Sequence, residues 1–291
     1  MNIKNINSNK KDFLQMSKYK GKTFVIKYGG SIMSNDAAKE AFVEDIALMT
    51  SAGIKVVIVH GGGPLISKWV KKTGGENEFI KGLRVTNHDT MEIVEMVLSG
   101  NVNKRLSSIL SRSGLNAIGI SGRDSNLIQA KKKFVFEGDK KIDLGYVGEV
   151  TNINTKVLIT LLNSNYIPVI SPVGVGCEGN SYNINADYAA AAISGVLKAE
   201  KLLIMTDIDG VYTDITDPST LLSSITVEET KEFINKGMIY GGMIPKLECC
   251  VAAINEGAKN VHLVDGRKKH GLLLNIIKDC GTKIITAKGA I

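Results

Sequence analysis

The chain has few aromatic residues and no paired cysteine spacing, and each shortage removes a class of protein. Phe, Tyr and Trp make up 5% of the 291 residues. A basic protein that grips nucleic acid by stacking interleaves aromatics with its cations, and no such stripe is present, so no nucleic-acid partner is expected. The four cysteines, Cys177, Cys249, Cys250 and Cys280, form no CxxC pair and no metal-ligand spacing. They read as reduced thiols of a cytosolic protein. No apolar run is long enough to cross a bilayer. Residues 1–11 are rich in Asn and Lys and lack the apolar core of a secretory signal, so a cytoplasmic, membrane-free protein is expected.

Several catalytic signatures are missing too. The "GKT" at 21–23 has Met16 where a Walker A motif needs its first glycine, and it precedes a strand instead of following one. The "GVGCEG" at 174–179 fits the dinucleotide pattern G-x-G-x-x-G, yet no helix opens immediately behind it, so it reads as a loop. G-x-S-x-G and HExxH do not occur, which leaves covalent serine and catalytic zinc chemistry without support. The D-x-D-G at 207–210 is too short for an EF-hand loop, and no protein-held metal is assigned.

What is present is an alternation. Apolar strand-like runs at 23–28, 55–60, 115–121, 166–171, 201–206, 260–264 and 282–286 are separated by helical stretches at 36–52, 89–113, 154–163, 186–197 and 244–256. That spacing predicts βαβ units, hence a mostly parallel sheet with helices on both faces. The stretch 127–150 differs, with short runs broken by Gly and charge, and reads as a small antiparallel patch added to the main sheet. Residues 1–20 form an N-terminal extension, in which 12–20 is either a short docked helix or a frayed end. The length suits one large domain or two intimate lobes. The net charge of +7, spread over scattered lysines, suits steering of anionic substrates.

Two strand ends point to an anion. "VIKYGG" places Lys27 near the end of a strand that runs into Gly29 and Gly30, and "VIVHGGGP" ends the next strand in Gly61, Gly62 and Gly63. Pro64 suits the first turn of a following helix. Glycines at the carboxyl ends of parallel strands let backbone N–H groups approach an anion, and a helix N-terminus adds about half a positive charge. Further on, Asn183, Asn185 and Asp187 crowd into "NINAD" before an alanine-rich helix. Asp187 there is either a plain helix-start residue or part of a site. Lys246 sits in the first turn of a helix, where the dipole disfavours a cation unless an anion is near. Arg84 lies in a loop and is either a solvated arginine or a two-toothed clamp for a carboxylate.

The ordered set "VIKYGGSIM", "VIVHGGGP", "GLRVT", "NINADYAAAAIS", "LLIMTDIDGVY" and "GGMIPKL" resembles the amino acid kinase family, across nearly the whole chain. Within it, "GLRVT" and "NINAD" resemble the branch that phosphorylates N-acetyl-L-glutamate. The resemblance implies a three-layer αβα sandwich around a mostly parallel sheet. An acyl-acceptor lobe over about 21–180 and an ATP lobe over about 181–291 would meet at the site. It implies transfer of the γ-phosphoryl of MgATP to the side-chain carboxylate of N-acetyl-L-glutamate, a step in arginine biosynthesis, with Mg2+ held by phosphates and water. Lys27 and Lys246 would contact the moving phosphoryl group, and Asp187 would orient both. Gly29, Gly30, Gly61, Gly62 and Gly63 would offer N–H groups; Arg84, Asn183 and Asn185 would serve the acceptor. Thr206, Asp207, Tyr212, Gly241, Gly242 and Met243 fall where the family contacts the nucleotide. A homodimer is implied. Arginine-inhibited, hexameric members carry a tyrosine where Gln15 stands and a glutamate where Asn275 stands, so both traits are in question here. The other readings are a kinase for a different carboxylate and a non-catalytic nucleotide sensor on the same fold.

Overall fold

Strands that are buried from end to end need cover on both faces, and here they have it. The computed structural model describes residues 10–30, 32–239 and 241–286. Its main sheet has eight strands: β1 (Thr23–Tyr28), β2 (Lys55–His60), β3 (Ala117–Ser121), β4 (Ile167–Ser171), β5 (Lys201–Thr206), β6 (Ser224–Thr226), β7 (Val261–Asp265) and β8 (Thr282–Ile285). Their spatial order is β6-β8-β7-β5-β1-β2-β4-β3. From β7 to β3 every neighbouring pair is parallel; β8 runs antiparallel to β7, and β6 pairs parallel with β8.

Alternating side chains of β1 and β2 feed two separate cores. Val25, Val57 and Val59 join one core, with the helices Lys156–Asn163, Ala186–Val196 and Met243–Asn255. Phe24, Ile26, Val56 and Ile58 join the other, with the helices Asp36–Ser51, Asn103–Arg112 and Gly271–Lys278. A period of two on a sheet produces this division, and the three-layer arrangement follows from it. Met16, on the helix Lys10–Ser17, is fully buried in the second core, so that part of the N-terminal extension docks. Residues 1–9 of the extension lie outside the described residues.

Two predicted elements differ from what forms. The antiparallel patch is a hairpin, Ile128–Glu137 with Lys140–Ile153, but it does not extend the main sheet. It closes into a small barrel with Val173–Val175 and Ser181–Asn183. The "GVGCEG" glycines belong to that closure. A Cβ on Gly174 would lie 3.0 Å from the Ala130 Cβ, and one on Gly176 would lie 2.7 Å from the Tyr182 ring. The single helix expected at 89–113 is three segments: His88–Glu95, a π-helical turn at Met96–Val102, and Asn103–Arg112. The strand β6 and the helices Val227–Asn235 and Gly271–Lys278 were not evident from periodicity.

Candidate active site

Three strand ends converge. The chain leaves β1 and β2 toward one flank of the sheet, then returns through β5 on the other side of β1, so the carboxyl ends of these strands border a switch in strand order. Gly29 follows β1, where a Cβ would lie 2.8 Å from the Met205 carbonyl oxygen of β5. Gly62 follows β2, where a Cβ would lie 2.5 Å from Leu98 Cδ2. Gly30 abuts Pro64, a Cβ on Gly61 would make ordinary contact with the Tyr28 carbonyl oxygen at 3.9 Å, and Gly63 has open space beside it. Backbone therefore holds the first position to glycine, whereas a Cβ at the second would press on the Leu98 side chain.

Lys27 and Asp187 are both buried at this edge. Lys27 Nζ lies 2.9 Å from Asp187 Oδ1, and Lys246 Nζ lies 3.4 Å from Asp187 Oδ2. One carboxylate thus spans two ammonium groups, and the three side chains come from a strand, from the helix Ala186–Val196 and from the helix Met243–Asn255. Burial alone pushes the Asp187 carboxyl up, but Lys27 and then Lys246 outweigh it and hold the group below the usual carboxylate range. Asn185 caps the helix: its side-chain oxygen accepts from the Asp187 N–H at 2.8 Å, which fixes where the carboxylate starts. The cluster carries one net positive charge, a suitable field for a phosphoryl group.

Arg84 sits beside a cavity of about 170 Å³ lined by Gly61, Gly62, Gly63, Asn183 and Asn185 among others. Its guanidinium donates to Asn77 Oδ1, to Ser67 Oγ at 2.7 Å and to the Gly63 carbonyl at 3.1 Å, and it lies 4.6 Å from the centre of the Phe79 ring. All these partners are neutral; among the described residues no carboxylate pairs with it. Asn183 donates to Thr86 Oγ1 at 3.1 Å, and Thr86 in turn donates to the Arg84 carbonyl at 2.8 Å. Arg84 and Asn183 are thereby linked in one small network.

On the other side, Thr206 ends β5, buried, with its hydroxyl 3.2 Å from Asp207 Oδ1. Tyr212 donates to Asp209 Oδ2 at 3.0 Å, and Lys268 pairs with Asp209 Oδ1 at 2.5 Å. Gly241, Gly242 and Met243 open the helix that carries Lys246, with Gly242 as its N-cap. Lys268 was not singled out from the sequence, and Asp209 was noted only within the D-x-D-G at 207–210; only folding shows them paired. His60 and Asn103, which meet beneath the second glycine loop, were not singled out either. Among the described residues no three His, Cys, Asp or Glu side chains converge as a metal site.

A parallel sheet with glycine-ended strands around a lysine–aspartate–lysine bridge defines a phosphotransferase of the small-molecule kinase class. The chain belongs to the amino acid kinase family, whose model matches residues 22–265. It is similar to the acetylglutamate kinase of Clostridium acetobutylicum, 50% identical across 94% of this chain and 93% of that one. The acetylglutamate kinase of Carboxydothermus hydrogenoformans is 48% identical across 91% of this chain and 92% of its own. Among solved structures, the N-acetylglutamate synthase from Neisseria gonorrhoeae has the same fold, with a TM-score of 0.81 at 24% identity; the match covers 97% of this chain and 63% of that one.

Proposed function

We propose that this chain transfers the γ-phosphoryl group of ATP to the side-chain carboxylate of N-acetyl-L-glutamate, forming an acyl phosphate and ADP in arginine biosynthesis. The observation that carries the mechanism is the Asp187 carboxylate bridging Lys27 and Lys246 at 2.9 and 3.4 Å. A carboxylate oxygen of the acceptor attacks phosphorus while the bond to the β-phosphate oxygen breaks, and no proton has to move. Such a transfer needs alignment and charge neutralisation more than covalent help. Lys27 approaches the phosphoryl group from the acceptor side and Lys246 from the nucleotide side. Asp187 keeps both ammonium groups in place, so they are set before substrates arrive.

Gly29, Gly30, Gly61, Gly62 and Gly63 present N–H groups to the transferring oxygens. Arg84 and Asn183 hold the α-carboxylate end of the acceptor, with Asn185 lining the same cavity. A buried guanidinium with only neutral partners favours an anionic ligand, which supports that assignment. Thr206, Asp207, Tyr212, Gly241, Gly242 and Met243 face the nucleotide. Magnesium would be held by the ATP phosphates and water, where it would supply charge neutralisation. Residues of about 21–180 supply the acceptor side and those of about 181–291 the ATP side. The assembly proposed is a homodimer, since closed two-fold symmetry is the commonest oligomeric state.

The test is ADP release with MgATP against N-acetyl-L-glutamate, L-glutamate, L-aspartate, carbamate, N-acetyl-aminoadipate and UMP. Strong preference for N-acetyl-L-glutamate is the expected outcome. Turnover of another acceptor alone would keep the two-lysine mechanism and overturn Arg84 and Asn183 as substrate readers.

A further inference from the structure

His60 is the last residue of β2 and is completely buried beneath the three glycines. Its Nε2 lies 3.2 Å from Asn103 Nδ2, and its Nδ1 lies 2.9 Å from the carbonyl oxygen of Gly61. The Asn103 amide nitrogen also donates to the Val169 carbonyl at 2.8 Å and to the Ile120 carbonyl at 3.2 Å. Those two backbone acceptors decide which end of the amide faces inward. The Gly61 carbonyl can only accept, so Nδ1 must be the donor, and Nε2 is left as an acceptor facing the Asn103 amide nitrogen, whose two hydrogens serve three acceptors. The ring proton then sits on Nδ1 and donates to Gly61. Burial also pushes the imidazole down to about 4, which keeps it neutral near pH 7.

That donation has a consequence one bond further on. In a trans peptide the C=O of one residue and the N–H of the next point in opposite directions. Every described peptide bond is trans. With the Gly61 carbonyl drawn down to His60, the N–H of Gly62 is turned the other way, and the cavity beside this loop is lined by Gly61, Gly62, Gly63 and Arg84. The π-helical turn Met96–Val102 assists from above. It sets Leu98 and Val102 against Gly62, and delivers Asn103 to the core immediately afterwards. π-Turns are frequent at functional sites because they shift one side of a helix relative to the other.

We propose that His60, oriented by Asn103, is a positioning residue that locks the Gly61–Gly62 peptide with its N–H directed at the phosphoryl group in transfer. The role rests on the phosphotransfer reading above. Without the Nδ1 donor the peptide is free to rotate, and its carbonyl would then face an anion.

The experiment uses the full chain and two substitutions of His60. An asparagine amide nitrogen reaches the place of Nδ1, whereas a glutamine amide nitrogen reaches that of Nε2. His60→Asn is expected to recover most of kcat. His60→Gln is expected to lose about 10²-fold in kcat, the scale of a misplaced or missing oxyanion donor, with both KM values changed less than about threefold. Thermal unfolding is followed alongside, so that a folding defect is seen as such. Independently, nitrogen NMR of the histidine-labelled chain, which has four histidines, is expected to show the ring signal lost in His60→Asn as the Nδ1–H tautomer. An Nε2–H tautomer overturns the proposal whatever the kinetics. Equal losses of kcat in the two variants, or losses confined to KM, overturn it too. Turnover of a different acceptor by the unaltered chain would overturn the substrate reading alone, and the asparagine–glutamine contrast would then be read on that acceptor.

Discussion

Asp187 touches no substrate in the proposed mechanism, yet both lysines depend on it. The buried Asp187 carboxylate lies between the two ammonium groups, 2.9 Å from Lys27 and 3.4 Å from Lys246, and offsets their mutual repulsion. Lys27→Ala removes one of the two cations meant for the phosphoryl oxygens. Its kcat is expected to fall by about 10²–10³, as for loss of one oxyanion donor. A variant within tenfold of the parent in steady-state ADP release would end that assignment. Residues of this kind were legible in the sequence because each sits at a patterned place, such as a strand end or the first turn of a helix. His60 was quoted with its motif but carried no signal of its own, since a buried, neutral histidine looks the same in sequence as any residue before a turn. Asn103 was hidden further, inside what reads as one uninterrupted helix.

Among the elements, the strands with continuous apolar runs were readable to within a residue or two, because burial on both faces writes itself into composition. The short edge strand β6 and the barrel were not. The barrel's strands find partners in a loop many residues away, and pairing of that kind leaves no periodicity. The helix Val227–Asn235 did carry a signal that periodicity passes over. Thr226 caps it, with its side chain accepting from the Glu229 N–H at 3.0 Å while Glu229 accepts from the Thr226 N–H at 2.8 Å. Thr226→Ala is expected to cost about 1 kcal/mol. For a chain this long that is a fall in Tm of about 2–4 °C. Calorimetry checks it, and an unchanged Tm would mean that the helix is held by its packing alone.

For the whole molecule, resistance to acid turns on buried histidines. Burial pushes His60 down to about 4; burial, then Lys201, pushes His262 to about 3. An unfolded chain takes up these protons near pH 6.5, so it binds more protons than the fold between that pH and the folded values. Stability is therefore fully present above about pH 6.5 and is lost as the pH falls toward 4. The change from 6.5 to about 4 makes the His60 share about 3 kcal/mol. Asp45, which burial pushes up to about 6 against the pull of His270, works in the opposite direction over part of that range. A Tm series from pH 7 to pH 4.5 is expected to fall less steeply in His60→Asn than in the parent; parallel curves would remove His60 from the account. The lysine–aspartate–lysine bridge matters on this scale as well. Its members come from the first strand, a central helix and a late helix, so the cluster closes a very long loop of chain. Contacts so distant in sequence form late in folding, because the loop entropy must be met first. Regain of activity on refolding would thus time the last step of assembly, after the backbone signal has already returned.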